Sequence, residues 1–548
     1  MTETTSLIAE KPRTRTAARI GWAVLIAATL YVCYFSHLGA IGFVGPDEPR
    51  YAWIARDMAE TGDWVTPRLY GKPWFEKPPL LYWGAALCFK LFGVSEAAAR
   101  LPSAISALLA TLAMAWLAMR LYGAETARWL LLLLPTTVGM IGFSHAAATD
   151  MPFSAMLTIA MVCAAVVLGL TRNENTPILP RTPWLALILF GFSLGLAVLA
   201  KGPAAIILSG GAVFFWALFT KRRRDAFRLF HPVAVAAFCL TALPWYIVCA
   251  RRNPDFFRIF IIEHNFKRYL TPEFQHIQPF WFYIPIVLIA FFPWTVTSLV
   301  LLRDTTHWWK NRGAVDSLDF FLTSWPIFAV VFFSLSKSKL PGYILPAVPP
   351  IGLLVARSVS IRVNNIFPGD RWVEIASGAT LLVAAFLTAL QFERTPLGFA
   401  PLVIAVGGFA SFILRNLSRT VLVNAFALVA VVALTLRGNT REVLDERLSV
   451  RSAPMAAAMI WKEYSPERSS AYKLRRSFQY SLNFYLHREL SEWLPGKSQP
   501  GWVYAPGGEI QELRNLGLNC PFNALRHAVI VCKDPGSTGM LADRRQPH

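Results

Sequence analysis

The residues of this chain that could carry out chemistry lie in short hydrophilic stretches between long apolar ones. Asp47 and Glu48 are adjacent carboxylates at the start of a predicted helix, and their spacing alone favours capping that helix and interacting with its dipole. Glu76 and Lys77 follow among aromatic residues, where aromatic belts and snorkelling lysines offer a structural explanation. The functional interpretation is that Lys77 offers an ammonium group to a phosphate at the depth of lipid head groups.

Asp150 and Lys201 each separate two neighbouring apolar stretches. Ionisable residues at such junctions are costly unless they are exposed or paired, so both are functional candidates. For Lys201, snorkelling to the membrane interface explains the residue equally well.

The elements that must position these residues are strongly apolar. Of 548 residues, 55% are hydrophobic and 16% are charged, and the mean hydropathy is +0.43. Soluble domains usually carry about a quarter charged residues, so most of this surface cannot face water. The net charge is nevertheless +20. This combination disfavours a soluble nucleic-acid binder and predicts a membrane protein with its charges in loops.

A transmembrane helix needs about 20 mainly apolar residues. Stretches of suitable length that lack Asp, Glu, Lys and Arg predict thirteen spans, give or take about two. The stretch 78–89 is too short to span and is interpreted as interfacial or re-entrant. The predicted spans are 20–46, 101–119, 129–149, 151–171, 182–200, 202–220, 229–250, 274–302, 320–336, 340–356, 375–392, 396–414 and 420–436.

The placement of basic residues predicts the orientation, because Lys and Arg concentrate in short cytoplasmic loops. The N-terminal tail is basic, so we expect it in the cytoplasm. Alternating spans then bring every short basic connection to that side, and an odd number of spans leaves the C-terminus outside, in the periplasm. The basic residues concerned are Lys11, Arg13, Arg15, Arg19, Arg120, Arg128, Arg172, Arg181, Lys221, Arg222, Arg223, Arg224, Arg303, Lys310, Arg312, Arg357, Arg362, Arg371, Arg415 and Arg419.

Two loops on the outside are also basic, although positive charge is normally sparse there. The loop near 251–280 contains Arg268, and the short link at 336–342 contains Lys337 and Lys339. Basic clusters on this side predict binding of anionic groups.

The first outside loop, at about 43–100, begins with a predicted amphipathic helix. We expect Asp47 to cap this helix, Gly62 to end it, and its apolar face to lie on the membrane surface. The residues of that face are Tyr51, Ile54, Ala55 and Met58.

The chain is expected to divide into a transmembrane domain (1–436) and a small periplasmic α/β domain (437–548). Cys520 and Cys532 both fall in the second domain, where an oxidising compartment would permit a disulfide. The predicted strands of this domain lie at 502–505 and 528–532, and its predicted helices at 452–463 and 482–492.

The sequence gives little indication of a cofactor. It contains no Walker motif, Gly-rich nucleotide cradle or Ser-His-Asp signature, which disfavours a soluble nucleotide donor but leaves a lipid-linked donor open. His264 with Glu76 or Glu263 could hold a metal ion, but no ligand spacing supports this. A satisfied interfacial histidine is the simpler interpretation.

Several loop motifs together carry a resemblance to a known superfamily. They are Asp47-Glu48-Pro49-Arg50-Tyr51-Ala52, Thr61-Gly62-Asp63-Trp64, Phe75-Glu76-Lys77-Pro78-Pro79, Asp150-Met151-Pro152, Ala200-Lys201-Gly202-Pro203 and Lys337-Ser338-Lys339-Leu340-Pro341 followed by Tyr343. The chain resembles the GT-C superfamily of polyprenyl-phosphate-dependent glycosyltransferases over nearly its whole length. Within that superfamily it is most similar to the lipid A aminoarabinose transferases, and protein O-mannosyltransferases are more distant.

The resemblance implies an all-α polytopic fold with amphipathic helices in the first periplasmic loop. It also implies inverting transfer of 4-amino-4-deoxy-L-arabinose from undecaprenyl phosphate to lipid A phosphates at the periplasmic face of the bacterial inner membrane. That modification would lower the negative charge of the outer membrane and give resistance to polymyxin. The implied partners are the lipid-linked sugar, lipopolysaccharide and membrane lipids, without nucleic acid.

The resemblance also implies roles for individual residues. Cations would stabilise the charge that develops on the leaving lipid phosphate. The donor phosphate would contact Lys77, Arg50, Tyr343 and Lys201; the catalytic acids would be Asp47, Asp150 and Glu48; the acceptor would contact Glu76, Arg268, Lys337 and Lys339.

Three further expectations accompany these roles. Adjacent acids at 47–48, in place of a separated Asp-x-Asp, predict catalysis without an essential divalent ion. A related transferase that moves mannose or another sugar to protein or another lipid is one alternative function. A flippase for lipid-linked sugars is another, although transporters place ionisable residues near the bilayer midplane rather than in outer loops.

Overall fold

The computed structural model of the chain is predominantly helical. It describes residues 12–171, 182–271, 277–299, 309–310, 318–364, 370–391, 399–414, 417–435, 442, 444–446, 448–495, 501–521 and 529–536. Its helices are α1 (Pro12–Tyr34), α2 (Asp47–Thr61), α3 (Leu80–Phe92), α4 (Glu96–Tyr122), α5 (Ala124–Leu133), α6 (Val138–Ser144), α7 (Asp150–Val167), α8 (Trp184–Lys201), α9 (Ala204–Phe219), α10 (Arg223–Ala226), α11 (Pro232–Arg252), α12 (Arg268–Leu270), α13 (Tyr283–Ala290), α14 (Thr295–Leu299), α15 (Leu318–Leu335), α16 (Val348–Asn364), α17 (Asp370–Gln391), α18 (Phe399–Ile413), α19 (Leu417–Thr435), α20 (Ala453–Ile460), α21 (Arg476–Leu486) and α22 (Ile510–Asn515). A π-helix spans Arg258–Lys267, and 3-10 turns span Phe227–Phe230, Pro341–Ala347, Pro466–Arg468 and Gly507–Glu509.

A helix lies in each of the thirteen predicted apolar stretches. Within the described residues, six helices are long and apolar enough to cross a membrane, and α5 with α6 makes a seventh if this pair, bent by 63°, is one span. The multi-pass helical fold is therefore confirmed, with six or seven helices that meet this length criterion rather than thirteen. Among the basic residues used for orientation, Lys11, Arg172, Arg181, Arg303, Arg312 and Arg415 lie outside the described residues.

The first loop folds as a hairpin between two helices. Strands β1 (Arg68–Leu69) and β2 (Lys72–Pro73) are antiparallel and joined by Tyr70 and Gly71, which both have positive φ angles, of 52° and 77°. Such two-residue turns match the twist of paired strands. The hairpin returns the chain toward α2 just before the segment that carries Lys77.

Helix α2 corrects two expectations. Pro46 occupies the capping position and Asp47 is the first helical residue, while Gly62 ends the helix with a φ of 74°. The predicted apolar face is at most 3% exposed and is covered by protein, because α2 packs against α3 and α21 rather than offering that face to lipid. Phe484 of α21 belongs to the same apolar cluster. The face consists of Tyr51, Ile54, Ala55 and Met58.

The C-terminal region contains a four-stranded sheet in the order β4-β3-β5-β6. Strand β3 is parallel to β4 and β5, and β5 is antiparallel to β6. Cys520 and Cys532 form a disulfide. The strands are β3 (Ser469–Ala471), β4 (Ser491–Glu492), β5 (Gly501–Pro506) and β6 (Val529–Asp534).

The predicted helix at 452–463 is present as α20, but the predicted helix at 482–492 is misplaced. Helix α21 begins at Arg476 and ends at Leu486, where His487 takes a left-handed conformation with a φ of 54°. The residues that follow form β4, which pairs with β3.

Candidate active site

The candidate site centres on Glu76, a carboxylate that is 8% exposed. Arg50 Nη1 lies 2.9 Å from its Oε2, and Arg268 Nη1 lies 3.3 Å from its Oε1. Burial raises the pKa of Glu76, but the charges of Lys77, Arg50 and Arg268 outweigh this effect and lower the pKa to about 2. Glu76 is therefore a permanent anion that holds cations from the first loop and from α12 in one place.

Lys77 is the least satisfied cation of the site. Its side chain is 12% exposed, and its Nζ lies 3.8 Å from Glu76 Oε1, which is beyond hydrogen-bond distance. The described residues give its ammonium no hydrogen-bond acceptor. Burial and the nearby Arg268 lower the pKa of Lys77 to about 8. A largely buried ammonium without an acceptor is suited to receive an anionic oxygen.

Asp47 stands at the open side of the cluster. Its side chain is 46% exposed and accepts a hydrogen bond from Arg50. The Arg50 guanidinium also lies 5.6 Å from the ring centroids of Trp74 and of Tyr480, the latter on α21. Aromatic rings at this distance attract a cation and fix its plane. Asp47 is thus the accessible acid of the site, and the C-terminal region contributes to holding its partner.

Asp150 and Lys201 form a second ion pair beside the first. Lys201 Nζ donates to Asp150 Oδ1 at 2.5 Å and lies 4.4 Å from the centroid of the Tyr343 ring. Arg268 makes a side-chain hydrogen bond with Tyr343, which links this pair to Glu76. A methyl group on Gly342 would lie 2.5 Å from Asp150 Oδ1, so the turn at 341–347 fits closely over the carboxylate.

The two ion-pair groups make one positive cluster. It has four cations and three carboxylates, which leaves one positive charge in excess for a bound anion. The members are Asp47, Arg50, Glu76, Lys77, Asp150, Lys201 and Arg268. The structure therefore brings together seven of the residues that the sequence singles out, with the Tyr343 ring beside them.

Glu48, predicted as a catalytic acid, is held by structural contacts. Arg100 donates to both of its carboxylate oxygens at 2.8 Å, and the backbone N–H groups of Val44 and Ala147 donate to them at 2.8 and 2.7 Å. Every lone-pair direction is thus occupied, so Glu48 fixes the start of α2. Sequence reasoning did not single out Arg100. The one signal for this residue is its position directly before the apolar stretch 101–119.

Lys337 and Lys339 do not join the cluster among the described residues. Lys339 Nζ donates to the carbonyls of Ser336 at 2.6 Å and of Gln278 at 3.0 Å, so it joins its own loop to the segment that contains Gln278. The Lys337 side chain is exposed, and its backbone N–H donates to Tyr269. Lys339 therefore has a structural role, and its contact with the acceptor stays a prediction.

His264 lies within electrostatic reach of Glu76 and Lys77, and burial lowers its pKa. Within the described part of the chain, no group of three or more His, Cys, Asp or Glu side chains converges as a metal site. Glu76 already binds three cationic side chains, so it is a poor partner for His264 in holding a metal.

Comparisons with known proteins agree with this fold. The sequence pattern of the family described as "Dolichyl-phosphate-mannose-protein mannosyltransferase" matches residues 20–260. The structure resembles that of ArnT from Cupriavidus metallidurans bound to undecaprenyl phosphate, with a TM-score of 0.74 at 22% identity over 94% of this chain and 98% of that one. It also resembles the archaeal oligosaccharyltransferase AglB from Archaeoglobus fulgidus, with a TM-score of 0.50 at 12% identity over 90% and 70% of the two chains. These likenesses show a shared fold.

Sequence relatives are more specific. The "Undecaprenyl phosphate-alpha-4-amino-4-deoxy-L-arabinose arabinosyl transferase" of Yersinia enterocolitica is 31% identical over 387 residues, which cover 70% of this chain and 67% of the relative. The protein of the same name from Edwardsiella ictaluri is 34% identical over 63% of this chain and 62% of its own length. The chain therefore belongs to this family of arabinosyl transferases and is a multi-pass membrane glycosyltransferase.

Proposed function

We propose that the protein transfers 4-amino-4-deoxy-L-arabinose from undecaprenyl phosphate to phosphate groups of lipid A, with inversion at the sugar carbon. The observation that carries this proposal is Lys77, a largely buried ammonium without a hydrogen-bond acceptor among the described residues, in a cluster that has one excess positive charge. Such a site favours a lipid phosphate both as a bound ligand and as a leaving group. The names of the arabinosyl transferase relatives support the same donor.

The geometry divides the work among the cluster residues. Lys77 and Arg50, with Arg268 and Tyr343 behind them, would bind the donor phosphate and stabilise its charge as the glycosidic bond breaks. Asp47, the most exposed acid, would orient the acceptor. A lipid A phosphate is already anionic near neutral pH, so a strong general base is not required.

Asp150 remains paired with Lys201 and would accept a hydrogen bond from the amino group of the sugar. This role rests on charge, since a carboxylate attracts an ammonium group.

We place this chemistry at the periplasmic face of the bacterial inner membrane. Disulfides persist in oxidising compartments, and the pair Cys520–Cys532 belongs to the C-terminal region. That region contacts the first loop directly, since Asn483 donates to the Tyr70 hydroxyl at 2.8 Å. The disulfide and the cluster therefore lie on the same side of the membrane. Modified lipid A would carry less negative charge and would bind cationic peptides such as polymyxin more weakly.

The test is a reconstituted transfer. The purified full-length protein is incubated with undecaprenyl phosphate-aminoarabinose and lipid A, and the lipid products are read by mass spectrometry. We expect one aminoarabinose added per modified phosphate, and a loss of at least about 100-fold in rate for Lys77→Ala. Lys90→Ala, which alters an exposed lysine on α3, is the matched control and should retain activity.

Other outcomes would replace the proposal. Transfer only from a polyprenyl phosphate-mannose to a peptide would identify a mannosyltransferase. Movement of the donor lipid across vesicles without a covalent product would identify a transporter.

A further inference from the structure

A long apolar groove lies away from the cationic cluster, between α9 and α11, with α8 as its floor. Its cavity volume is about 810 Å³. The groove follows α9 from Ile206 to Leu218, a length of about 18 Å at 1.5 Å per residue. One leaflet of a bilayer is about 15 Å deep, half of a hydrocarbon core of about 30 Å. The groove therefore has the length of one acyl layer.

The packing of three helices explains why this groove exists. Glycines let α8 and α11 come together, since a methyl group on Gly191 would lie 2.1 Å from the Ala234 carbonyl oxygen and one on Gly195 would lie 2.8 Å from Thr241. Helix α9 instead packs against α15. Gly210, on α9, lines the groove and faces open space, because nothing lies within 4 Å of a methyl group built there.

One end of the groove is positively charged. Arg223 lines the cavity, and Arg224 is its neighbour in the basic segment between α9 and α11. Asp225, the acid of this segment, pairs with Arg222 at 2.7 Å and with Arg228 at 3.0 Å. Among the described residues, Arg223 and Arg224 have no carboxylate partner. An apolar groove with the guanidinium group of Arg223 at one end is complementary to a lipid that has an anionic head group.

The groove is separate from the cationic cluster. Helix α8 ends at Lys201 in that cluster and begins at Trp184, so its 18 residues span about 27 Å. Lys201 adjoins the start of α9, whereas Arg223 and Arg224 follow the end of α9. The groove along α9 therefore separates the arginines from Lys201. Its charged end therefore cannot contact a phosphate that is held by Lys77.

We propose that the groove binds one anionic phospholipid of the surrounding bilayer, with an acyl chain along α9 and its phosphate at Arg223, the arginine that lines the cavity. Basic pockets at the ends of transmembrane helices are suited to such head groups. A polyprenyl chain would also fit the apolar part, but it would leave Arg223 without an anionic partner. Charge at the mouth of the groove is what favours the phospholipid.

The test measures lipid retention by native mass spectrometry. The full-length protein is released from nanodiscs that contain equal parts of phosphatidylglycerol and phosphatidylethanolamine. We expect the unmodified protein to retain phosphatidylglycerol preferentially, and the preference to fall about fivefold for Arg223→Gln, the equivalent of about 1 kcal/mol per cation. Gly210→Leu fills the groove and should abolish retention of this lipid while leaving the arginines in place.

Two matched variants control for effects outside the groove. Arg120→Gln removes an exposed arginine of the predicted cytoplasmic side, and Gly21→Leu adds a side chain at a helix glycine that faces open space elsewhere. Both should retain phosphatidylglycerol as the unmodified protein does. Equal retention of the two phospholipids by the unmodified protein would overturn the proposal. So would a preference that neither Arg223→Gln nor Gly210→Leu changes, or a retained lipid that proves to be undecaprenyl phosphate.

Discussion

At the residue scale, the surroundings of Lys77 lower the pKa of its ammonium group, and a bound anion would raise that pKa again. Burial disfavours its charge, and Glu76 at 3.8 Å compensates only in part, so its pKa falls to about 8. Below that value the ammonium is charged and attracts a phosphate; above it the free site loses this charge. The phosphate in turn stabilises the ammonium and raises its pKa in the complex.

The affinity for undecaprenyl phosphate should therefore weaken as the pH rises through about 8. Lys77→Arg keeps its charge across this range and should flatten the dependence, although its planar fork will alter the absolute affinity. The measurement is a Kd titration at pH values one unit below and one unit above the pKa. The same slope in both proteins would show that another group governs the binding.

Catalysis without a divalent ion is expected from the same residues. The carboxylates that could attract a metal already face cations, since Arg50 contacts both Asp47 and Glu76. We expect transfer to continue at its full rate after exhaustive dialysis against a chelator. Activity lost on chelation and restored by an added divalent ion would contradict this expectation.

The buried pair of Arg100 and Glu48 should be important for stability. Arg100 also donates to the carbonyls of Leu38, Ile41 and Gly42, so it joins the loop after α1 to the start of α2. Removing one partner of a buried pair leaves an uncompensated charge and costs about 3–5 kcal/mol. Arg100→Met should therefore lower the thermal unfolding temperature strongly.

The control for Arg100 is Arg258→Met, since Arg258 is an exposed residue whose pairs with Asp255 and Glu263 are open to water. Exposed pairs contribute about 0–1 kcal/mol, so this variant should unfold near the temperature of the unmodified protein. Equal shifts for the two variants would remove the structural role assigned to Glu48.

Glu48 also shows what sequence reasoning cannot resolve at this scale. Adjacent helical residues are about 100° apart around the axis, so Asp47 and Glu48 cannot face the same partner. The motif identifies both acids, but only the contacts with Arg100 in the folded chain show that Glu48 is the acid with the structural role. Arg268 was predictable as a cation of an outer loop. Its hydrogen bond to Glu76 was not predictable, because it joins residues that are 192 positions apart.

At the scale of elements, the contact between α2 and α21 was not predictable. Long apolar helices are visible in a sequence because their residues are continuous, whereas α21 is short and its apolar residues meet α2 only in the folded chain. Tyr480 on α21 lies 5.6 Å from the Arg50 guanidinium, so a C-terminal helix touches the cationic cluster. This contact makes α21 a positioning element for Arg50.

Tyr480→Ala should reduce kcat/KM for transfer by at least about two- to fivefold, because a cation–π contact contributes about 0.5–1 kcal/mol even at exposed sites and more where it is shielded from water. Tyr480→Phe keeps the ring and should retain activity near that of the unmodified protein. The assay is the reconstituted transfer, with folding checked by thermal unfolding. Loss of activity in the Phe variant would instead assign the role to the hydroxyl group.

At the scale of the whole molecule, the C-terminal domain predicted at 437–548 is joined to the membrane part through the loop after α1. Arg451 donates to the carbonyls of Gly39 and Ala40 at 3.1 Å and to Asp445, whose other oxygen accepts from the Gly42 N–H at 2.7 Å. Composition and turns predicted a separate C-terminal unit, but charge pairs between distant segments leave no periodic signal in the sequence.

The junction requires glycine at position 42. A methyl group there would lie 2.0 Å from Ser449 Oγ and 2.9 Å from Arg451 Cβ, so Gly42→Ala must push the C-terminal region away from the first loop. We expect this variant to lose most transfer activity, since α21 would no longer hold Arg50, while binding of undecaprenyl phosphate alone should weaken less. Gly39→Ala, where the nearest atom is 3.4 Å away, is the matched control. Full activity in Gly42→Ala would show that the two parts of the molecule work independently.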